Sequence, residues 1–210
     1  MGFAIAAAAR EQGADVTLVA GPTSLTTGIK TVSVTTAEEM YREVLRLSSQ
    51  NDLIFMVAAV SDWRPASYKP QKIKNKKRWF LPLIPTKDIL CTLGRRKREG
   101  QILVGFAAET EKLLKHGRGK LIDKKCDFLI VNRVGRPGTG LPGAGPPETG
   151  FESDTNEVIL LSKEGAVLRL PRLSKKSLAR RLFKEILKSS NFYQNDKVYR
   201  NERGLDGTTI

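Results

Sequence analysis

Cysteine and histidine are nearly absent, with two of the first and one of the second in 210 residues. Cys91 and Cys126 stand far apart and form no Cys-x-x-Cys pair, which argues against a disulfide framework and against a cysteine-held zinc ion. The single histidine, His116, argues against a histidine metal centre and against a Ser-His triad. No apolar run approaches the roughly 20 residues that a membrane-spanning helix needs. The apolar stretch from Phe3 to Ala9 has no basic segment before it, so it does not read as a secretory signal, and a cytoplasmic location is expected.

Acid is also scarce. Asp and Glu total 22 against 36 Lys and Arg, leaving a formal charge of +14. The excess is clustered: Lys69–Arg78 holds six basic residues and no acid, and Arg95–Arg98 is basic throughout. Such a surface suits nucleic acid, or equally small anions such as nucleotides and phosphate esters. Single-strand binders interleave aromatics with their cations as stacking platforms, and here only Trp79 and Phe80 follow the densest lysine run.

What is present is α/β patterning. Met1–Gln12 is alanine-rich and ends at Gly13, as a helix does. Val16–Ala20 and Thr31–Val34 read as strands, and Thr36 with Glu39 has capping-box spacing for a helix to about Leu47. Leu53–Val60 is a continuous apolar run, read as a strand buried on both faces. Lys72–Leu83 reads as an edge hairpin or flap, and Asp88–Leu93 as a short helix. Ile102–Phe106 reads as a second buried strand, leading to a helix with Glu109 and Glu111 in its first turn. Phe128–Val131 is a third such strand. Residues 135–150 are dominated by glycine and proline and read as a loop. Val158–Ser162 and Val167–Leu170 read as an antiparallel pair turning at Glu164-Gly165, and Ser174 caps a final helix to about Leu187. The expected fold is α/β and Rossmann-like: a mainly parallel sheet flanked by helices, with an antiparallel extension. It occupies residues 1–188 as one nucleotide-binding domain, and the polar stretch 189–210 is expected to be a disordered tail.

The rest is organised around Val57-Ala58-Ala59-Val60-Ser61-Asp62-Trp63-Arg64-Pro65. Ligands of open α/β sheets bind outside the carboxyl ends of the strands. There Leu53–Val60 ends in alanines that leave room, followed by the carboxylate of Asp62 and by Lys72-Ile73-Lys74. An acid for ribose hydroxyls and lysines for phosphates fit a nucleotide. A buried strand followed by a solvated charged loop fits the same residues.

These motifs resemble a known family. Met1-Gly2-Phe3-Ala4-Ile5-Ala6, Thr17-Leu18-Val19-Ala20-Gly21-Pro22, Ala58-Ala59-Val60-Ser61-Asp62-Trp63-Arg64, Lys72-Ile73-Lys74 and Val104-Gly105-Phe106-Ala107-Ala108-Glu109-Thr110 occur in the family's order, followed by Lys120-Leu121 and by Gly150-Phe151 with Asp154, Asn156 and Val158. The resemblance is to the phosphopantothenoylcysteine synthetase half of the bacterial bifunctional coenzyme A biosynthesis protein, usually fused behind a flavin-dependent decarboxylase. It covers about Met1 to Leu187. It implies a ligase that activates 4'-phosphopantothenate with CTP, carried with Mg2+, and joins the acyl-cytidylate to cysteine. It also implies a homodimer, a decarboxylase partner, and no role for nucleic acid or membrane.

Carried over by motif, Asp62 holds the ribose and Lys72 contacts the triphosphate as the catalytic lysine. Met56, Val57 and Ala58 give the nucleotide backbone groups and room. Phe106 borders it, and Lys120 and Lys124 reach it from the next helix. The family's Asn-Pro-Asp-Ile stands here as Thr86-Lys87-Asp88-Ile89, matching only at Asp88 and Ile89. Taken singly, Lys72 reads equally as a solvated loop residue, Phe106 as core packing, and Lys120 and Lys124 as an exposed helix face. Further departures are Asn75 in the Lys-x-Lys-Lys pattern, with Lys76 and Lys77 just beyond it, and Arg133 after Val131-Asn132 where the family has Asp. The resemblance also places a strand, a glycine-rich turn and an asparagine-bearing segment ahead of the position of Met1. The chain as given is therefore expected to bind nucleotide but to ligate slowly.

Two other classes remain open at this point: a nucleotide-binding module without catalysis, and a basic nucleic-acid-binding protein. If the positive charge serves small anions, duplex DNA should bind weakly, without sequence preference, and with an affinity that collapses as salt rises. Sub-micromolar, sequence-dependent binding at physiological salt in a fluorescence-anisotropy titration would overturn the ligase reading.

Overall fold

A computed structural model describes residues 1–68, 70–72, 74, 80–133 and 154–189. The elements run α1 (Gly2–Glu11), β1 (Thr17–Ala20), β2 (Lys30–Ser33), α2 (Ala37–Ser48), β3 (Leu53–Met56), β4 (Trp63–Pro65) and β5 (Leu83–Pro85). They continue with α3 (Ile89–Arg96), β6 (Ile102–Glu109), α4 (Leu113–Asp123), β7 (Phe128–Arg133), β8 (Thr155–Ser162), β9 (Val167–Ser174) and α5 (Lys175–Ser189). The expected glycine- and proline-rich loop, Lys76, Lys77, Trp79 and the polar tail from 190 onward lie outside the described residues. The helices form where local chemistry asks for them. Thr36 Oγ1 accepts from the Glu39 N–H at 3.1 Å while Glu39 Oε2 accepts from the Thr36 N–H at 3.2 Å, completing the capping box of α2. Ser174 Oγ accepts from the Ser177 N–H at 3.2 Å and caps α5.

The main sheet has strand order β3-β6-β7-β8-β9. Its first three strands are parallel and its last two join antiparallel, so the fold is the α/β, Rossmann-like one with an antiparallel extension. Residues alternate across β6. Leu103 faces a cluster with Met40 and Val44 of α2, Ile89 and Leu93 of α3, and Leu121 of α4. Val104 faces the opposite cluster, with Leu178, Leu182 and Ile186 of α5. Those three lie four residues apart on one stripe and are fully buried, each contributing about 1.5–3 kcal/mol. Helix α4 presses close to the sheet because Gly117 has no Cβ. One placed there would stand 2.7 Å from Val131 Cγ2 and 2.8 Å from Leu161 Cδ1. No helix among the described residues is long and apolar enough to cross a membrane.

Several local expectations are corrected. The run Leu53–Val60 is strand only to Met56, and its residues are half-buried, with Ala58 and Ala59 exposed, rather than buried on both faces. The reason is pairing: β3 bonds to β6 alone, and its register ends at Met56 opposite Gly105. Strands β1 and β2 form a separate parallel pair, so β1 and β3 each present an unpaired edge among the described residues. Glu109 belongs to β6, not to the first turn of the next helix. That helix begins at Leu113 after Lys112 in a left-handed conformation (φ 48°), with no acid in its first turn. The expected flap is framed by β4 paired antiparallel to β5. At the far edge, β9 carries the exposed residues Arg169, Pro171 and Arg172. It is therefore guarded by charge and by a proline that cannot donate, with Val167 the exposed large apolar residue on it.

One buried acid ties the sheet to its connections. Asp127 Oδ2 accepts from the Leu103 N–H at 2.8 Å and from Lys97 Nζ at 2.6 Å, while Oδ1 accepts from Lys163 Nζ at 2.7 Å. Burial opposes its charged form, but the bonds from Lys163, Lys97 and Leu103 outweigh burial and hold its pKa below the ordinary carboxylate value. A lowered folded pKa adds stability above the unfolded value of about 4, and that stability is lost as pH falls through the folded pKa. Asp127→Asn should therefore cost roughly 3 kcal/mol at neutral pH. This is the lower end for a broken buried pair, because Lys97 and Lys163 stay partly exposed. The variant should also flatten the acid limb. Urea unfolding at pH 7 and pH 3.5 measures both, and an equal loss at the two pH values would show that the carboxylate charge is irrelevant.

Candidate functional site

A cavity of about 1120 Å³ opens between the unpaired edges of β1 and β3. Thr17–Ala20 line one wall and Leu53–Val60 the other, with α1 and Phe183 of α5 behind them. Its lining runs from 12–15 and 50–52, ahead of β1 and β3, to a mouth at the carboxyl ends of β3 and β6, where parallel strands deliver the residues that follow them to one place.

Met56, the last residue of β3, lines this mouth together with Val57 and Ala58. The chain leaves the strand there in a tight turn, the Val60 N–H donating to the Ala58 carbonyl at 3.1 Å. Asp62 follows, exposed and lining the cavity. Thr86 fastens this turn from outside: its N–H donates to the Asp62 carbonyl at 2.9 Å, and its hydroxyl donates to the Ser61 carbonyl. Thr86 thus shapes the loop bearing Asp62 and does not itself line the cavity.

Phe106 and Lys120 complete the mouth. Phe106 is half-buried on the α5 side of β6. Lys120, in the last turn of α4, places Nζ 2.6 Å from Glu109 Oε1, a close charge pair that lies off the hydrogen-bond direction. The other oxygen, Oε2, lies 3.3 Å from His116 Nδ1.

The remaining predicted residues lie apart from the cavity lining. Lys124 ends α4, and its ammonium bonds Asp88 Oδ2; Asp88 Oδ1 meanwhile accepts from the Cys91 N–H at 2.8 Å and caps α3. The bond that Lys124 donates to Asp88 raises the lysine's pKa against the effect of burial. Asp88 is pushed up by burial, but the bonds from Lys124 and Cys91 prevail and lower its pKa. The pair forms because α3 and the end of α4 touch at Gly94, where any Cβ would collide with the Lys124 carbonyl oxygen. Lys87 turns away to α2: its ammonium lies 2.9 Å from Glu38 Oε1 and 4.7 Å from the centre of the Tyr41 ring. Ile89 is core, 4% exposed. Lys72 and Lys74 are exposed in the β4–β5 connection.

The structure also adds two residues that received no role from the sequence. Asn132, at the end of β7, and Asn156, at the start of β8, are buried, line the cavity, and keep side-chain carbonyl oxygens without a hydrogen-bond partner among the described residues. Buried acceptors are ordinarily paired, so these two are free to meet a ligand's donors. The signal in the sequence was polar residues set against apolar strands, and each reads equally as a strand terminus. Burial pushes the Cys126 thiol up to about 12, so it stays protonated and inert.

Residues 1–189 match the DNA/pantothenate metabolism flavoprotein C-terminal domain. The chain is 35% identical over 191 residues to the coenzyme A biosynthesis bifunctional protein CoaBC of Vibrio vulnificus strain YJ016, covering 89% of this chain and 45% of that protein. It is 37% identical over 193 residues to the protein of the same name from Escherichia coli K12, again covering 89% of this chain and 45% of that protein. The chain thus spans about half the length of these curated relatives. A crystal structure of the C-terminal domain of CoaBC superposes with TM-score 0.71 at 33% identity, covering 92% of this chain and 82% of that one. By sequence and by fold, the chain belongs to the family of the DNA/pantothenate metabolism flavoprotein C-terminal domain.

Proposed function

We propose that this chain carries the nucleotide site of a phosphopantothenate–cysteine ligase. The observation that carries the reading is the convergence of Asp62, Phe106 and Lys120 on one cavity mouth at the ends of β3 and β6. The family relatives named above are coenzyme A biosynthesis proteins, which agrees with the same reading.

The chemistry asked of the site is activation of a carboxylate. An oxygen of 4'-phosphopantothenate attacks the α-phosphorus of CTP, forming an acyl-cytidylate as pyrophosphate leaves. The amine of cysteine then attacks the acyl carbon, forming the amide, losing a proton and releasing CMP. Both reactants are anions, so the protein's share is to hold them together and offset their repulsion. Asp62 accepts from the ribose hydroxyls, the backbone of Met56, Val57 and Ala58 borders the nucleotide, and Phe106 packs against it. Lys120 faces the phosphates from α4, with Lys72 approaching from the β4–β5 connection; Lys124 would reach a phosphate only by leaving Asp88. Among the described residues no group of three or more His, Cys, Asp or Glu could hold a metal ion. Mg2+ would therefore rest mainly on the triphosphate, with single carboxylates such as Asp62 in reach. A flavin-dependent decarboxylase domain and a second copy of the chain complete the proposed assembly.

The experiment compares CTP, CMP and ATP by isothermal titration. Losing one charge-assisted contact costs on the order of 10- to 100-fold in affinity. Lys72→Ala should weaken CTP by that amount and CMP far less, whereas Asp62→Ala should weaken both alike. Equal losses of CTP and CMP on Lys72→Ala would remove Lys72 from the phosphate site. Failure of the unsubstituted chain to bind any of the three nucleotides would remove the reading itself.

A further inference from the structure

Glu109 is the last residue of β6 and its side chain is only 13% exposed. A carboxylate so far withdrawn from water needs a cation. Two side chains of α4, one turn apart, supply the surroundings: Lys120 Nζ at 2.6 Å from Oε1 and His116 Nδ1 at 3.3 Å from Oε2. Lys120 is itself half-exposed, and on a long side chain its ammonium would otherwise sweep a wide arc of solvent. Held to Glu109, it stands in the lining of the cavity that Phe106 also lines. Glu109 in turn is fixed by the backbone, because the β6–β7 register runs to its own position opposite Arg133.

We propose that Glu109 is the positioning residue for Lys120: it fixes the ammonium at the cavity mouth before a phosphate arrives. This rests on the reading of Lys120 as a phosphate contact. An ammonium has three donors, so it can keep Glu109 and still give a proton to a phosphate oxygen. Two effects of the carboxylate oppose each other. Its negative charge repels the incoming phosphate, while its hold on Lys120 removes the ordering cost that binding would otherwise carry. Ordering one long side chain is worth roughly three- to tenfold in affinity. The repulsion is weakened by the ammonium and imidazole standing against the carboxylate, so ordering prevails.

The test is a double-mutant cycle read by CTP affinity, with thermal unfolding of each variant measured alongside. Glu109→Ala should weaken CTP about three- to tenfold. Glu109→Gln, which keeps the shape of the side chain but removes the charge that holds Lys120, should show the same loss. In a Lys120→Ala background Glu109→Ala should cost nothing further, a coupling that a purely structural acid would not produce. Tighter binding by Glu109→Ala, or a loss that persists undiminished without Lys120, overturns the inference. If Lys120→Ala alone leaves CTP affinity unchanged, the phosphate contact fails and the assignment of Glu109 falls with it. A positive Lys120 result with no coupling sinks only Glu109.

Discussion

Everything at the site depends on β6 lying between two parallel neighbours. Parallel pairing aligns Met56 with Gly105 and Ala108 with Asn132, so the carboxyl ends of β3, β6 and β7 finish side by side. An antiparallel β6 would send Phe106 and Glu109 to the opposite end of the sheet from Asp62. The register is held by burial. Leu103, Val104, Leu129 and Ile130 are 1% exposed or less, and a one-residue slip would exchange the two faces and turn each cluster against the wrong helices. The antiparallel extension guards the other side of this arrangement. β8 keeps β7 from being an edge, and β9 ends the sheet with arginines and a proline.

The charge of +14 divides into roles once the partners are known. Lys97 and Lys163 serve the sheet through Asp127. Lys87 serves α2 through Glu38, and Lys124 serves the α3–α4 contact through Asp88. Exposed pairs of this kind are worth little in stability, so Glu38–Lys87 is a matter of direction rather than energy. Asp127 is different because its carboxylate is buried and triply bonded. Lys120 alone among these pairs stands in the cavity lining, and it does so on the arm of an acid that the backbone fixes.

Much of this was legible in the sequence, for physical reasons that can be named. The capping box of Thr36 and Glu39, the Ser174 cap and the apolar periodicity of α5 are local rules, and tertiary packing had no cause to override them. Asp62 and Phe106 were expected near the ends of neighbouring strands, and both line the cavity there. Other features were not. The strand read to Val60 stops at Met56, because strand length is set by a partner's register and not by the run of apolar residues. Glu109 read as a helix start for the same reason: β6 goes on pairing with β7 through Ala108 and Glu109. Lys124 read as a face-mate of Lys120 on helical spacing. Its partner, Asp88, lies 36 residues away and is brought near by the missing Cβ of Gly94.

The cavity itself follows from two incomplete ladders. Among the described residues β1 bonds only to β2 and β3 only to β6, and between their unpaired edges lie apolar walls from Val19, Ile54 and Phe55. Backbone amides and carbonyls along such edges are strong hydrogen-bonding groups that must be satisfied by something. Water meets them where the cavity is open, but the side walls are apolar and favour a drier occupant. Polar side chains line both ends: Gln50, Asn51 and Asp52 before β3 at one, and Asp62, Lys120, Asn132 and Asn156 at the other. Under the proposed function an anionic head belongs at the carboxyl end, where Lys120 stands, because the residues lining the amino end include acids and no lysine or arginine.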